Sequence, residues 1–123
     1  IASLGLERRV IRTGRVPASH RDGFLALAEA MVFPSEYEGF GAPVVEAMAL
    51  GAPVIAADQP AVAEVVGNAG IVLPRNSDAW AGALDDVGAR RQELVAAGRR
   101  RSADFTAERS GAALVSAYRR ALE

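Results

Sequence analysis

The stretch "AMVFPSEYEGFGAPVVEAMALGAPVIAA", Ala30 to Ala57, decides how this chain is read. "AMVF" (Ala30–Phe33) is a short continuous apolar run stopped by Pro34, the pattern of a strand buried on both faces. "SEYEGFG" follows as a loop. Pro43 then suits the first turn of a helix, where its missing N–H is not needed. That helix is expected to run from Pro43 to about Leu50 and to end at Gly51. "PVIAA" (Pro53–Ala57) is a second fully apolar strand. Strand, loop, helix and strand succeed one another, with Gly or Pro at each junction.

The same grammar extends outward. "RRVIRTGRV" (Arg8–Val16) sets apolar Val10 and Ile11 among polar neighbours and predicts a strand and loop. Pro17 and Ser19 signal a helix start, and Phe24, Leu25, Leu27 and Ala28 give its apolar stripe. "PAVAEVV" predicts a short helix closed by Gly67, and "GIVL" (Gly70–Leu73) a last strand. Asn76 or Ser77 can cap a helix carrying Trp80, Leu84 and Val87, interrupted near Gly88. A further helical run extends from about Ala89 to Ala103. Thr106 can cap a final helix with Leu114, Val115, Tyr118 and Leu122 on one face. The expected fold is therefore α/β: about four strands of a partial Rossmann-like, doubly wound parallel sheet, followed by C-terminal helices. No internal boundary divides residues 1–123. The sheet reads as the second half of such a domain with the first half missing.

Composition narrows the function. The 123 residues hold 14 basic and 15 acidic side chains, and a formal charge of −1 gives no support to nucleic-acid binding. No apolar run approaches a membrane span, and Ile1 to Leu6 lacks the pattern of a signal peptide. Cysteine is absent, which excludes thiolate chemistry and suits the cytoplasm. Every basic residue is arginine, so no lysine is available as a point charge for phosphate. The abrupt start without methionine suggests a fragment.

In open parallel sheets ligands bind at the carboxyl ends of the strands, where "SEYEGFG" lies. Gly39 and Gly41 let the backbone approach a ligand closely. The N–H groups around Gly41 and Ala42 point out of the helix start, and the helix dipole favours an anion there. Phe40, between the glycines, could cover such a site or pack beneath the loop. Glu46, in the first turn and a half of the helix, can accept from a ribose diol. Glu38, ahead of the glycines, can reach hydroxyls beyond the phosphates. Both carboxylates are acceptor-only when ionised, matching the hydroxyl-rich ends of a sugar nucleotide. An ordinary strand–turn–helix junction explains the same residues without a ligand: Glu46 near a helix start gains about 0.3–1 kcal/mol from the dipole alone.

The longer run "VFPSEYEGFGAPVVEAMALGAPVIAADQPAVAEVVGNAGIVL" strongly resembles the signature region of retaining GT-B glycosyltransferases of family 4. Their paired-glutamate motif matches Glu38 and Glu46, and the likeness extends to "GRV" (Gly14–Val16), "RRRSADF" and the terminal "AYRRALE". The resemblance implies a nucleotide diphosphate sugar as donor, with no cofactor and no metal. Glu38, the candidate catalytic residue, would contact donor-sugar hydroxyls near the anomeric carbon. Gly39, Phe40 and Gly41 would offer amides to the sugar and diphosphate, with Ala42 beside them, and Glu46 would bind the ribose. Val16 matches a position whose backbone lies against the nucleobase. The terminal helix, residues 106–122, would pack back on an N-terminal domain carrying the acceptor site. The family's Arg and Lys pair, which neutralises the leaving diphosphate, would lie upstream on strands this chain lacks. These residues alone are therefore expected to be inactive.

Other residues carry weaker signals. His20 is the only histidine and has no evident carboxylate partner. Asp58 could line the crevice but suits better a cap of the turn with Pro60; Glu64 is similarly placed. "GRRRSAD" (Gly98–Asp104) could mimic a phosphate site or form a solvated face. A glycosidase pair at Glu38 and Glu46 would need carboxylates about 5–9.5 Å apart across the bond, and such pairs usually lack a helix start between them. A response-regulator-like domain is disfavoured, since no acidic cluster ends a first strand. A non-catalytic binding or interaction module on the same scaffold is the alternative from another class.

Overall fold

The computed structural model describes all 123 residues. A single turn of 3-10 helix at Ala2–Leu4 precedes α1 (Ala18–Leu27), β1 (Met31–Phe33), α2 (Ala42–Leu50), β2 (Val54–Ala57), α3 (Pro60–Val66) and β3 (Ile71–Leu73). Three helices finish the chain: α4 (Ser77–Ala89), α5 (Arg91–Ser102) and α6 (Ala107–Ala121). The strands pair in parallel in the order β1-β2-β3, with Val32 opposite Ile55 and Ala56 opposite Val72.

The central strand explains why "PVIAA" is apolar throughout. Val54 and Ala56 face a core built with Val44, Met48, Val62 and Val66 of α2 and α3. Ile55 faces the other side, against Ala83, Val87 and Leu94 of α4 and α5. Both faces of β2 are thus covered, as expected of a parallel sheet between helical layers. Each fully buried Val, Ile or Met here contributes about 1.5–3 kcal/mol from burial.

The strand expected within Arg8–Val16 does not form, so the sheet has three strands rather than about four. Arg9 and Val10 instead donate to the Leu6 carbonyl in a turn. No ladder bond joins this segment to the outer edge of β1, which pairs only with β2. Val10 and Ile11 accordingly stay exposed. Phe24 and Leu27 of α1 are also exposed, and only Leu25 and Ala28 of the predicted stripe reach the core. In α4 Ala83 and Val87 are buried with Trp80 partly buried beside them, while Leu84 turns outward. The break after α4 falls at Arg90 rather than Gly88.

Arginines of α5 hold the ends of other helices. Arg91 donates to the Ala28 and Glu29 carbonyls just past α1. Arg101 donates to Val65 O at 2.9 Å and Glu64 O at 2.7 Å, closing α3. A guanidinium at a helix C-terminus satisfies carbonyls the helix cannot use and meets the negative end of its dipole. The basic run at Gly98–Asp104 therefore does more than face solvent. Arg101→Ala is expected to destabilise the fold by about 1–3 kcal/mol, as two carbonyls lose their donors. Arg101→Lys should recover only part of this, since an ammonium lacks the fork. Urea denaturation of the three proteins checks this, and equal midpoints would rule it out.

Candidate functional site

The loop Pro34–Gly41 leaves the carboxyl end of β1 and enters α2 at Ala42, one residue earlier than the sequence predicts. Gly41 adopts φ 86° and ψ 44°, the left-handed region that glycine enters at least cost. It is buried, and a Cβ there would lie 3.3 Å from Val62 of α3. The helix start has no side-chain cap. Val44 N–H bonds the Gly41 carbonyl, Pro43 has no N–H, and the N–H groups of Gly39, Phe40, Gly41 and Ala42 find no acceptor in the chain. A row of unpaired donors therefore meets the positive end of the α2 dipole.

The two carboxylates have different settings. Ser35 Oγ donates to Glu38 Oε1 at 2.9 Å, which orients the half-buried carboxylate and leaves its second oxygen open. Glu46 lies on α2 with Arg21 Nη1 of α1 at 3.5 Å from its Oε2. Arg21 is held above its ordinary range, first by its hydrogen bond to Asp22 and then by the Glu46 charge. One Glu46 oxygen stays free to accept. Glu36 pairs with Arg75, tying the loop to the segment after β3.

Gln59 is the residue sequence reading missed. Its Oε1 accepts from Val62 N at 3.0 Å and caps α3, a place expected of Asp58. That bond leaves its NH₂ facing the loop, where it donates to the Glu38 carbonyl at 3.2 Å. Pro60 marks the helix start, but nothing in the sequence shows that the cap also holds the loop. Asn76, not Ser77, caps α4 by accepting from Ala79 N.

A cleft of about 650 Å³ opens between the start of α2 and the α5–α6 junction, and Phe40, Ala42, Glu46, Phe105, Thr106 and Arg109 line it. The fold brings Phe40, Ala42 and Glu46 together there, whereas Glu38, Gly39, Gly41 and Val16 lie outside its lining. Val16 is half-buried just ahead of α1. No three His, Asp or Glu side chains gather into a metal-ligand set. No helix is long and apolar enough to cross a membrane.

The family profile described as "Glycosyl transferases group 1" matches residues 1–90. The chain belongs to the group 1 glycosyltransferase family. It is 36% identical over 130 residues to the MMP alpha-(1->4)-mannosyltransferase of Mycolicibacterium hassiacum, covering 99% of this chain and 32% of that protein. It is 44% identical over 63 residues to O-antigen chain mannosyltransferase B of Escherichia coli, covering 51% of this chain and 16% of that protein. It is 30% identical over 126 residues to the alpha-D-kanosaminyltransferase of Streptomyces kanamyceticus, covering 97% and 33%. This group 1 glycosyltransferase chain thus spans a third or less of the length of these relatives. The matched residues include β1, the loop and α2, the elements that carry both carboxylates.

Proposed function

We propose that this chain is the donor-binding portion of a retaining glycosyltransferase, moving a sugar from a nucleotide diphosphate sugar to an acceptor. The observation that carries the reading is the row of unpaired N–H groups from Gly39 to Ala42, at a helix start flanked by Glu38 and Glu46. A diphosphate seated there replaces the missing acceptors and meets the dipole, the usual physics of phosphate at a helix N-terminus. Glu46 accepts from the ribose hydroxyls through its free oxygen. Glu38, oriented by Ser35, acts on the donor-sugar hydroxyls near the anomeric carbon. Val16 contributes backbone against the base. The donor is the only small molecule in this reading, which needs neither cofactor nor metal, and the protein works in the cytoplasm.

Transfer also needs cations on the leaving diphosphate and a second domain for the acceptor. Arg109 is the one cation lining the cleft and it is paired with Asp104, so turnover by this chain alone is not expected. α6 fits the same picture: it has no buried residue and exposes Leu114, Val115, Tyr118 and Leu122 along one side. That side is where the N-terminal domain would dock. Two of the relatives above are named mannosyltransferases, so mannose donors belong in any panel.

The test is titration of the natural polypeptide containing this chain with UDP- and GDP-sugars, beside Glu46→Gln. Hydrogen bonds to a charged group contribute about 1.5–3 kcal/mol, so the substitution should weaken nucleotide affinity at least about tenfold. Unchanged affinity would remove Glu46 from the ribose, and a panel without any binding would sink the reading.

A further inference from the structure

The α5–α6 junction reaches the loop through one aromatic pair. Phe105 meets Phe40 with ring centroids 5.5 Å apart and planes at 74°, an edge-to-face contact. Phe105 is itself held in place: the Arg101 guanidinium lies 4.8 Å from its ring centroid. Arg101 is anchored on the Glu64 and Val65 carbonyls of α3. Beside it, Asp104 takes Arg101 at 3.3 Å and Arg109 of α6 at 2.7 Å. The junction is thus pinned to α3 on one side and to the first turns of α6 on the other.

Beyond the Glu36–Arg75 pair, the loop has three points of support nearer the glycines. Gln59 holds the Glu38 carbonyl, and Val62 packs against Gly41. Between them, in Gly39-Phe40-Gly41, the only side chain able to resist rotation of the peptide planes is Phe40. We infer that Phe105 is a positioning residue: by bracing Phe40 it sets the direction of the Gly39–Ala42 N–H groups. The inference rests on the donor-binding reading above.

The test uses the natural polypeptide that contains this chain, with UDP and GDP and their sugars as probes in calorimetry. An edge-to-face pair converts to about a three- to tenfold change in affinity. F105A should weaken nucleotide binding by that factor, and F105Y, which keeps the ring, should stay within about twofold of the parent. F105L fills similar volume without a ring edge and should follow F105A, which covers the case where F105A folds poorly. Because Phe105 acts through Phe40, F40A with F105A together should bind no more weakly than F40A alone. A role in packing alone would lower the unfolding temperature of F105L and leave affinity at the parent level. That result, or additive losses in the double variant, overturns the inference while the donor reading stands. A parent protein that binds no nucleotide overturns both.

Discussion

Gly70→Val is expected to destabilise the fold by about 3 kcal/mol or more. A Cβ at Gly70 would lie 2.8 Å from the Val54 carbonyl oxygen and 2.9 Å from Val66 Cγ1. The first is backbone of the central strand and the second a fully buried side chain, so neither neighbour can swing away. Forcing atoms into a close-packed site costs about 1–3 kcal/mol and more when backbone must shift. Typical domains have only about 5–15 kcal/mol of stability to lose. Gly70→Ala should give an intermediate loss, because its one methyl meets the same two atoms. Urea unfolding followed by Trp80 fluorescence measures both, and a valine variant with the parent midpoint would show that β3 stands further from β2 than described.

Gly41→Ala should do the opposite: spare the fold and damage the site. At φ 86° a side chain costs about 1–2 kcal/mol, and the new methyl presses on Val62 at 3.3 Å. The chain escapes both by rotating the peptides on either side of residue 41. That rotation turns the donor N–H groups away from the anion they are proposed to hold. Nucleotide affinity in the natural polypeptide should fall at least about tenfold while the unfolding temperature drops by less than about 8 °C. Unchanged affinity would mean that the amides at this helix start do not bind the diphosphate.

The part of the fold that sequence made legible is the part whose signals are local. Met31–Phe33 and Val54–Ala57 are continuous apolar runs, and the Gly and Pro residues around them punctuate the chain where the elements change. Arg8–Val16 misled because alternation alone does not make a strand: Arg9 and Val10 close a turn on Leu6 and the segment pairs with none of the three strands. Leu84 also misled: helical spacing allows it or Ala83 to face inward, and in the fold Ala83 packs beside Ile55 while Leu84 is exposed. At the site, the glutamates, the glycines and the helix start could all be placed from spacing. Their supports could not. Gln59 reaches the loop from a different helix, Arg21 reaches Glu46 from α1, and Phe105 arrives from beyond the sheet. Only folding brings those residues near.

The free side of β1 has a consequence for solubility. An unpaired strand edge is a template on which another molecule's backbone can stack and grow. Here the template is three residues long and is terminated by Pro34, whose nitrogen has no hydrogen to offer. A visiting strand would run out of partners almost at once, and β3, the other outer strand, is equally short and likewise followed by a proline, so fibril seeding is blunted at both margins.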